Sequence, residues 1–187
     1  MQVTGPRLRV RNNPPLEQHD EPAAARASAG RLHRRFQGPD VSHRPQPDTR
    51  DRYRHHTTLT TRWMDNDIYG HVNNVQYYSY FDTVVNRYLI EAGALDIHHG
   101  DVIGLVVETH CNYFAPLSFP QPVEAGLRVA QVGRSSVRYE IGLFAPGEPM
   151  AAACGHFVHV YVDRETRRPA HLPQVLVQAL DRLRAEP

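Results

Sequence analysis

The sequence predicts an α+β domain in which one long helix packs on one curved antiparallel sheet. Three observations carry that reading. Val75 to Ala92 has helical periodicity with a wide apolar face. One strand-like run precedes it and four follow, split by short turn-forming breaks. The resulting order, strand, helix, then four strands, suits a helix laid across a five-stranded sheet.

The chain has 187 residues and a net charge of +1. Residues 1–50 hold seven of the fifteen prolines and nine Arg against five acids, with few large apolar residues and no period. Such a segment buries too little surface to offset its ordering entropy, so a disordered Arg/Pro-rich tail is expected there, with the folded domain at 51–187. A basic arm that docks on an anionic partner is the alternative. Residues 51–187 hold twelve Arg against fifteen acids, so the domain has no general attraction for nucleic acid, and no nucleic-acid partner is expected.

Residues 53–63 are rich in Thr and aromatics and read as the first strand. In the helix, Val75, Tyr78, Phe81, Val84, Val85, Tyr88, Leu89 and Ala92 define the apolar face, and Gly93 is placed to cap its end. Val102 to Leu117 is a long strand candidate, stopped by Pro116 and by Pro120 and Pro122. Val123–Val132, Ser136–Phe144 and Met150–Val162 follow. Gly133-Arg134-Ser135 and Ala145-Pro146-Gly147 break them as hairpins do. Leu172 to Leu183 reads as a closing amphipathic helix.

Several chemistries are excluded. The chain has no lysine, which removes Schiff-base and phosphate-loop lysines. Cys111 and Cys154 lie in apolar, strand-like segments and read as free buried thiols; a single disulfide is the other reading. Metal spacing such as CxxC is absent, the pairs His55-His56 and His98-His99 read as surface histidines, and no metal is expected. No apolar run has the eighteen or so residues that a spanning helix needs, and the N-terminus lacks a signal-like apolar stretch, so a cytoplasmic location is expected. No G-x-S-x-G elbow is present, so a serine hydrolase of the α/β type is unsupported.

The chemistry-bearing segment is Trp63-Met64-Asp65-Asn66-Asp67-Ile68-Tyr69-Gly70-His71-Val72-Asn73-Asn74, between the first strand and the helix. Polar side chains gathered at such a junction are costly unless they hydrogen-bond or do chemistry. A helix N-terminus also offers unpaired backbone N–H groups that hold developing negative charge. A candidate base and a candidate oxyanion site thus stand side by side. Asp65 reads as a turn or cap residue. Asn73 and Asn74 cap the helix, a role compatible with an oxyanion site.

With Val75, Gln76 and Tyr77 added, this junction resembles the acyl-CoA thioesterases of the 4-hydroxybenzoyl-CoA thioesterase family, and in particular those with a D-x-D-x-x-G-H-V-N-N-x-x-Y signature. The likeness spans about residues 54–165. Tyr113-Phe114-Ala115-Pro116-Leu117 and Gly133-Arg134-Ser135-Ser136-Val137 also fit that family. The resemblance implies the hot-dog fold, with the long helix wrapped by the sheet. It implies Asp67 as the catalytic carboxylate and His71 as its neighbour in the site. It implies a homodimer or homotetramer with active sites between protomers. Plant acyl-carrier-protein thioesterases share part of the signature but place Asn two residues after the Asp, where this chain has Tyr69. That departure favours a mechanism centred on the Asp.

The implied reaction is hydrolysis of an acyl-CoA thioester, with coenzyme A as part of the substrate and no other cofactor. A thiolate leaves with little acid help, so one carboxylate can carry much of the reaction. Asp67 would act as base on a water or attack directly. Amides near Asn73 and Asn74 would bind the oxyanion. His71 would orient Asp67 or the water, or serve a structural hydrogen bond. Tyr69 would orient a water or pack, and Tyr77 would contact substrate, core or a second subunit. Arg134, Ser135 and Ser136 would meet the coenzyme A, or be ordinary surface residues. Two rivals remain. An enoyl-thioester hydratase is disfavoured because its D-x-N-P-x-H pattern is absent. A non-catalytic acyl-CoA-binding module would have no use for the retained Asp67.

Overall fold

The computed structural model describes residues 44–184. Five strands, β1 (His55–Leu59), β2 (Val102–Tyr113), β3 (Val123–Val132), β4 (Ser136–Phe144) and β5 (Ala153–Asp163), and two helices, α1 (Asn74–Glu91) and α2 (Gln174–Asp181), make up the fold. The strands form one sheet in the order β1-β3-β4-β5-β2, with every neighbouring pair antiparallel. The hairpin breaks at 133–135 and 145–147 join β3 to β4 and β4 to β5, as their turn residues require. This is the helix-in-sheet arrangement of the hot-dog fold.

Alternation along the strands decides which side chains meet α1. Val123, Ala125, Leu127 and Val129 of β3, Val137, Tyr139, Ile141 and Leu143 of β4, and Phe157, His159 and Tyr161 of β5 are all buried. Against them α1 buries Tyr77, Tyr80, Phe81, Val84, Val85, Tyr88 and Leu89. Each fully buried large apolar side chain contributes about 2 kcal/mol. Helix α2 is docked by Leu176 and Leu180, and the Tyr88 hydroxyl donates to the Ala179 carbonyl at 2.7 Å.

The sheet's other face carries a charged cluster beside a small apolar one of Tyr53, Phe144 and Ala151. Arg128 is buried there between Asp48 (2.9 Å) and Glu140 (2.6 Å). Gly126 and Gly142 lie opposite each other on β3 and β4, and the Tyr53 ring covers both; a Cβ on either would come within 2.6 Å of that ring.

Several expected boundaries move. The tail reading of residues 1–43 lies outside the described residues. Asp48, Thr49 and Arg50 are tied into the folded part, through the Asp48–Arg128 pair, the Thr49 bridge to Met150 and an Arg50 ion pair with Glu124. The packed unit therefore starts before residue 51. Strand β1 ends at Leu59 rather than 63, because Trp63–Asp65 turns into a 3-10 helix that leaves Trp63 81% exposed. Strand β2 ends at Tyr113 rather than Leu117. Val75, expected on the buried face of α1, is 58% exposed. His55 is half-buried against the Tyr88 ring rather than on the surface. Cys111 and Cys154 are both free, each partly buried. Among the described residues, no helix is long and apolar enough to cross a membrane.

Candidate active site

The junction between β1 and α1 is built around two carboxylates with different jobs. Asp65 is fully buried. It accepts from the Arg62 backbone N–H (2.8 Å), from Arg62 Nε (3.0 Å) and from the Tyr80 hydroxyl (2.8 Å). Burial alone would raise its pKa, but the hydrogen bonds from Arg62 and Tyr80 outweigh that effect and hold it below the ordinary value. Its carbonyl also accepts the Asn73 N–H at 2.8 Å. Asp65 thus fixes where α1 begins. Sequence reasoning reached its capping role but not its tie to Tyr80.

Asp67 stands in a tight loop. Its N–H donates to the His71 carbonyl (2.8 Å), its carbonyl accepts the Gly70 N–H (3.1 Å), and Asn66 bridges Val72. Gly70 sits at φ 82°, in the left-handed region that glycine enters without a steric penalty. The Asp67 side chain closes an Asx turn: Oδ1 accepts the amides of Tyr69 (2.8 Å) and His71 (3.4 Å). No described residue hydrogen-bonds Oδ2.

Helix α1 opens beside this loop. The Asn73 side chain accepts the Val75 N–H at 3.2 Å and caps the helix. The Asn73 N–H is consumed by Asp65, so of the two amides expected at an oxyanion site only that of Asn74 is unpaired among the described residues.

A cleft of about 480 Å³ brings these groups together, lined by Asp67, His71, Val72, Asn74, Tyr77, Tyr113, Phe114, Ala115 and Pro116. Tyr77 is buried and meets the Tyr113 ring edge-on at 4.9 Å; the Tyr113 hydroxyl donates to the Asn74 carbonyl at 3.3 Å. One side of the cleft therefore carries a carboxylate oxygen and a free amide, and the other is aromatic and apolar.

The remaining expected residues are placed differently. The part of His71 that holds Asp67 is its main chain; its imidazole lines the cleft without a hydrogen bond among the described residues. Tyr69 is 78% exposed, and it reaches Asp67 through its amide. Arg134, Ser135 and Ser136 do not line the cleft. Ser136 starts β4, whereas the cleft end of that strand is at Leu143, whose partner Ala153 pairs with Tyr113. Seven residues of strand separate them by roughly 23 Å. The Arg134 and Ser135 carbonyls accept from Leu172 and Tyr161, which fits a structural turn. Tyr113 was legible only as part of a strand end; the aromatic beside a proline stop is the signal that marks it. Among the described residues, no three His, Cys, Asp or Glu side chains gather as a metal site.

The pattern of the thioesterase-like superfamily matches residues 61–180, a span that contains the whole cleft. Among solved structures, the PA5185 protein of Pseudomonas aeruginosa strain PAO1 is 57% identical, with 76% of this chain and 99% of that one covered and a TM-score of 0.73. A thioesterase from Thermus thermophilus, complexed with coenzyme A and zinc, is 30% identical over 71% of this chain and 96% of that one, with a TM-score of 0.59. Slr0204, a 1,4-dihydroxy-2-naphthoyl-CoA thioesterase from Synechocystis, shares the fold at 18% identity over 67% of this chain and 94% of its own, with a TM-score of 0.62. No curated protein matches. With the cleft, the fold and these likenesses in view, the chain belongs to the thioesterase-like superfamily and is a thioester hydrolase.

Proposed function

We propose that the protein hydrolyses acyl-CoA thioesters to a free acid and coenzyme A, with Asp67 as general base. One observation carries this: Asp67 Oδ2 and the Asn74 N–H are both unpaired on one apolar-walled cleft. Oδ2 takes a proton from water as the water oxygen bonds the thioester carbon. The carbonyl oxygen gains the negative charge, and the Asn74 amide, at the positive end of α1, stabilises it. The carbon–sulfur bond then breaks and the thiolate departs, to be protonated by solvent or by Asp67. Coenzyme A as the thiol is supported by the Thermus relative, whose structure contains it.

The working unit of this reading is a homodimer. Strand β2 lies at the sheet edge, and Leu105, Val106 and Val107 on it are exposed. An exposed apolar edge invites pairing with another strand. Antiparallel pairing of two β2 edges covers those side chains and brings the Tyr113 end of one copy against the Ile103 end of the other.

The test is a thiol-release assay on short, medium, long and aromatic acyl-CoA esters, with Asp67→Asn as control. Asparagine keeps the Oδ1 acceptor of the Asx turn, so the variant should melt like the parent while kcat falls by roughly 10²–10⁴. Near-parental turnover by Asp67→Asn would refute the assignment. Water addition to crotonyl-CoA, or tight coenzyme A binding without turnover, would replace hydrolysis with one of the two rival activities.

A further inference from the structure

A second cavity, of about 390 Å³, lies between the end of α1 and the strands β2 and β5. Its volume is in the range of small-molecule sites. Leu89, Leu95, Ile97, Ile103 and Tyr161 give it an apolar wall. Two of its polar side chains, Asn86 and Arg164, are already engaged. Asn86 Nδ2 donates to Asp82 at 3.0 Å, and Arg164 donates to the Gly100 (2.6 Å) and Ile97 (3.0 Å) carbonyls. The Tyr161 hydroxyl is paired with that of Tyr139 at 2.6 Å.

His159, on the same wall, is not engaged. It is 4% exposed, and no described residue hydrogen-bonds either ring nitrogen. Nε2 is shielded completely, among the rings of Tyr139, Phe157 and Tyr161. Nδ1 stands opposite Gly104, where an added Cβ would lie 3.1 Å away, so the missing side chain keeps that nitrogen open. An imidazole buried with idle nitrogens is destabilising until a partner meets them. Burial lowers its pKa, which keeps the ring neutral with one donor and one acceptor. A hydroxyl is both donor and acceptor, so it suits Nδ1 in either tautomer. The Arg164 guanidinium is held by backbone carbonyls, so among the described residues the imidazole is the cavity side chain left without any hydrogen-bond partner.

We infer that this cavity receives the distal part of the acyl group, and that His159 selects acyl groups bearing a hydroxyl remote from the thioester. The inference rests on the thioesterase and dimer readings above. Within one chain, Tyr77 of the first cleft and Leu89 of this cavity are twelve residues apart on α1. That separation is roughly 18 Å along the helix. Across paired β2 edges, Ile103 and Gly104 of the second copy instead come beside Tyr113 of the first.

The experiment compares kcat/KM of the full chain on two matched pairs: octanoyl-CoA with ω-hydroxyoctanoyl-CoA, and phenylpropanoyl-CoA with para-hydroxyphenylpropanoyl-CoA. The parent should favour the hydroxylated member of at least one pair by about tenfold; the pair that responds tells an aliphatic from an aromatic body. His159→Leu should bring that ratio to about one. Gly104→Ala, which keeps the imidazole and crowds Nδ1, should lower the ratio in the same direction, and it decides the matter if His159→Leu does not fold. Equal kcat/KM within both pairs for the parent, or an unchanged ratio in the variants, overturns the inference and leaves the thioesterase reading intact. Absence of thiol release from every ester removes both.

Discussion

The Tyr80 hydroxyl lies 2.8 Å from Asp65 Oδ2, joining the second turn of α1 to the buried carboxylate that starts the Asp67 loop. Tyr80→Phe removes the one donor that reaches Asp65 from the helix. We expect a loss of about 2 kcal/mol, since a hydrogen bond to a buried charge is given up. Urea unfolding of the two proteins checks this.

Asp65 also gives stability a defined pH dependence. Its folded pKa is depressed below the ordinary 3.8. The stabilisation it supplies is therefore complete above that ordinary value and is lost as pH falls through the lower folded one. Asp65→Asn should differ most from the parent at neutral pH, and the gap in thermal midpoint should narrow in acid. A constant gap down to about pH 2 would contradict the assignment.

Gly70 is positioned by backbone conformation alone: at φ 82° a Cβ would meet no atom within 4 Å. Gly70→Ala should cost about 1 kcal/mol in stability from left-handed strain. A larger loss in kcat than in stability is expected, because the same loop aims Asp67. Melting and thiol release measured on one preparation test the split.

Arg128 neutralises two acids on the sheet face turned away from α1. Arg128→Met leaves Asp48 and Glu140 facing each other, partly shielded from water, with their cation gone. A loss of about 3 kcal/mol is expected. The double variant with Glu140→Gln should recover part of it in urea unfolding.

Val107 lies on the open edge of β2 and is 61% exposed. Val107→Glu in both copies puts like charges across the proposed β2 pair. Sedimentation should show a shift to monomer, with kcat/KM falling alongside. A variant that stays dimeric would place the interface elsewhere.

Much of this was legible in the sequence because it depends on local pattern. The helix declared itself by period, and the turn breaks separated three strands correctly. What failed was phase. Val75 was assigned to the buried face, yet it lies beside the N-cap, ahead of the turn where the sheet first covers the helix. Tyr77 and Tyr80, expected as core or subunit contacts, are buried, and one lines the cleft while the other reaches Asp65. The site loop was visible as a cluster of polar residues. Its division of labour was not, because the partners of Asp65 and the pairing of the Asn73 amide come from tertiary contacts. Within one chain the Arg134–Ser135 turn lies at the Ile103 end of the sheet, so a second copy is needed to bring it to the cleft. His159 did carry a signal, since it falls between Phe157 and Tyr161 at the spacing that sends all three to the core.

The Asx turn engages residues 69 and 71 through their amides only. The side chains there can be exchanged without moving the carboxylate. A combinatorial library at these two positions would therefore vary the cleft rim while the Asp67 carboxylate keeps its place, which makes the loop a natural starting point for directed evolution.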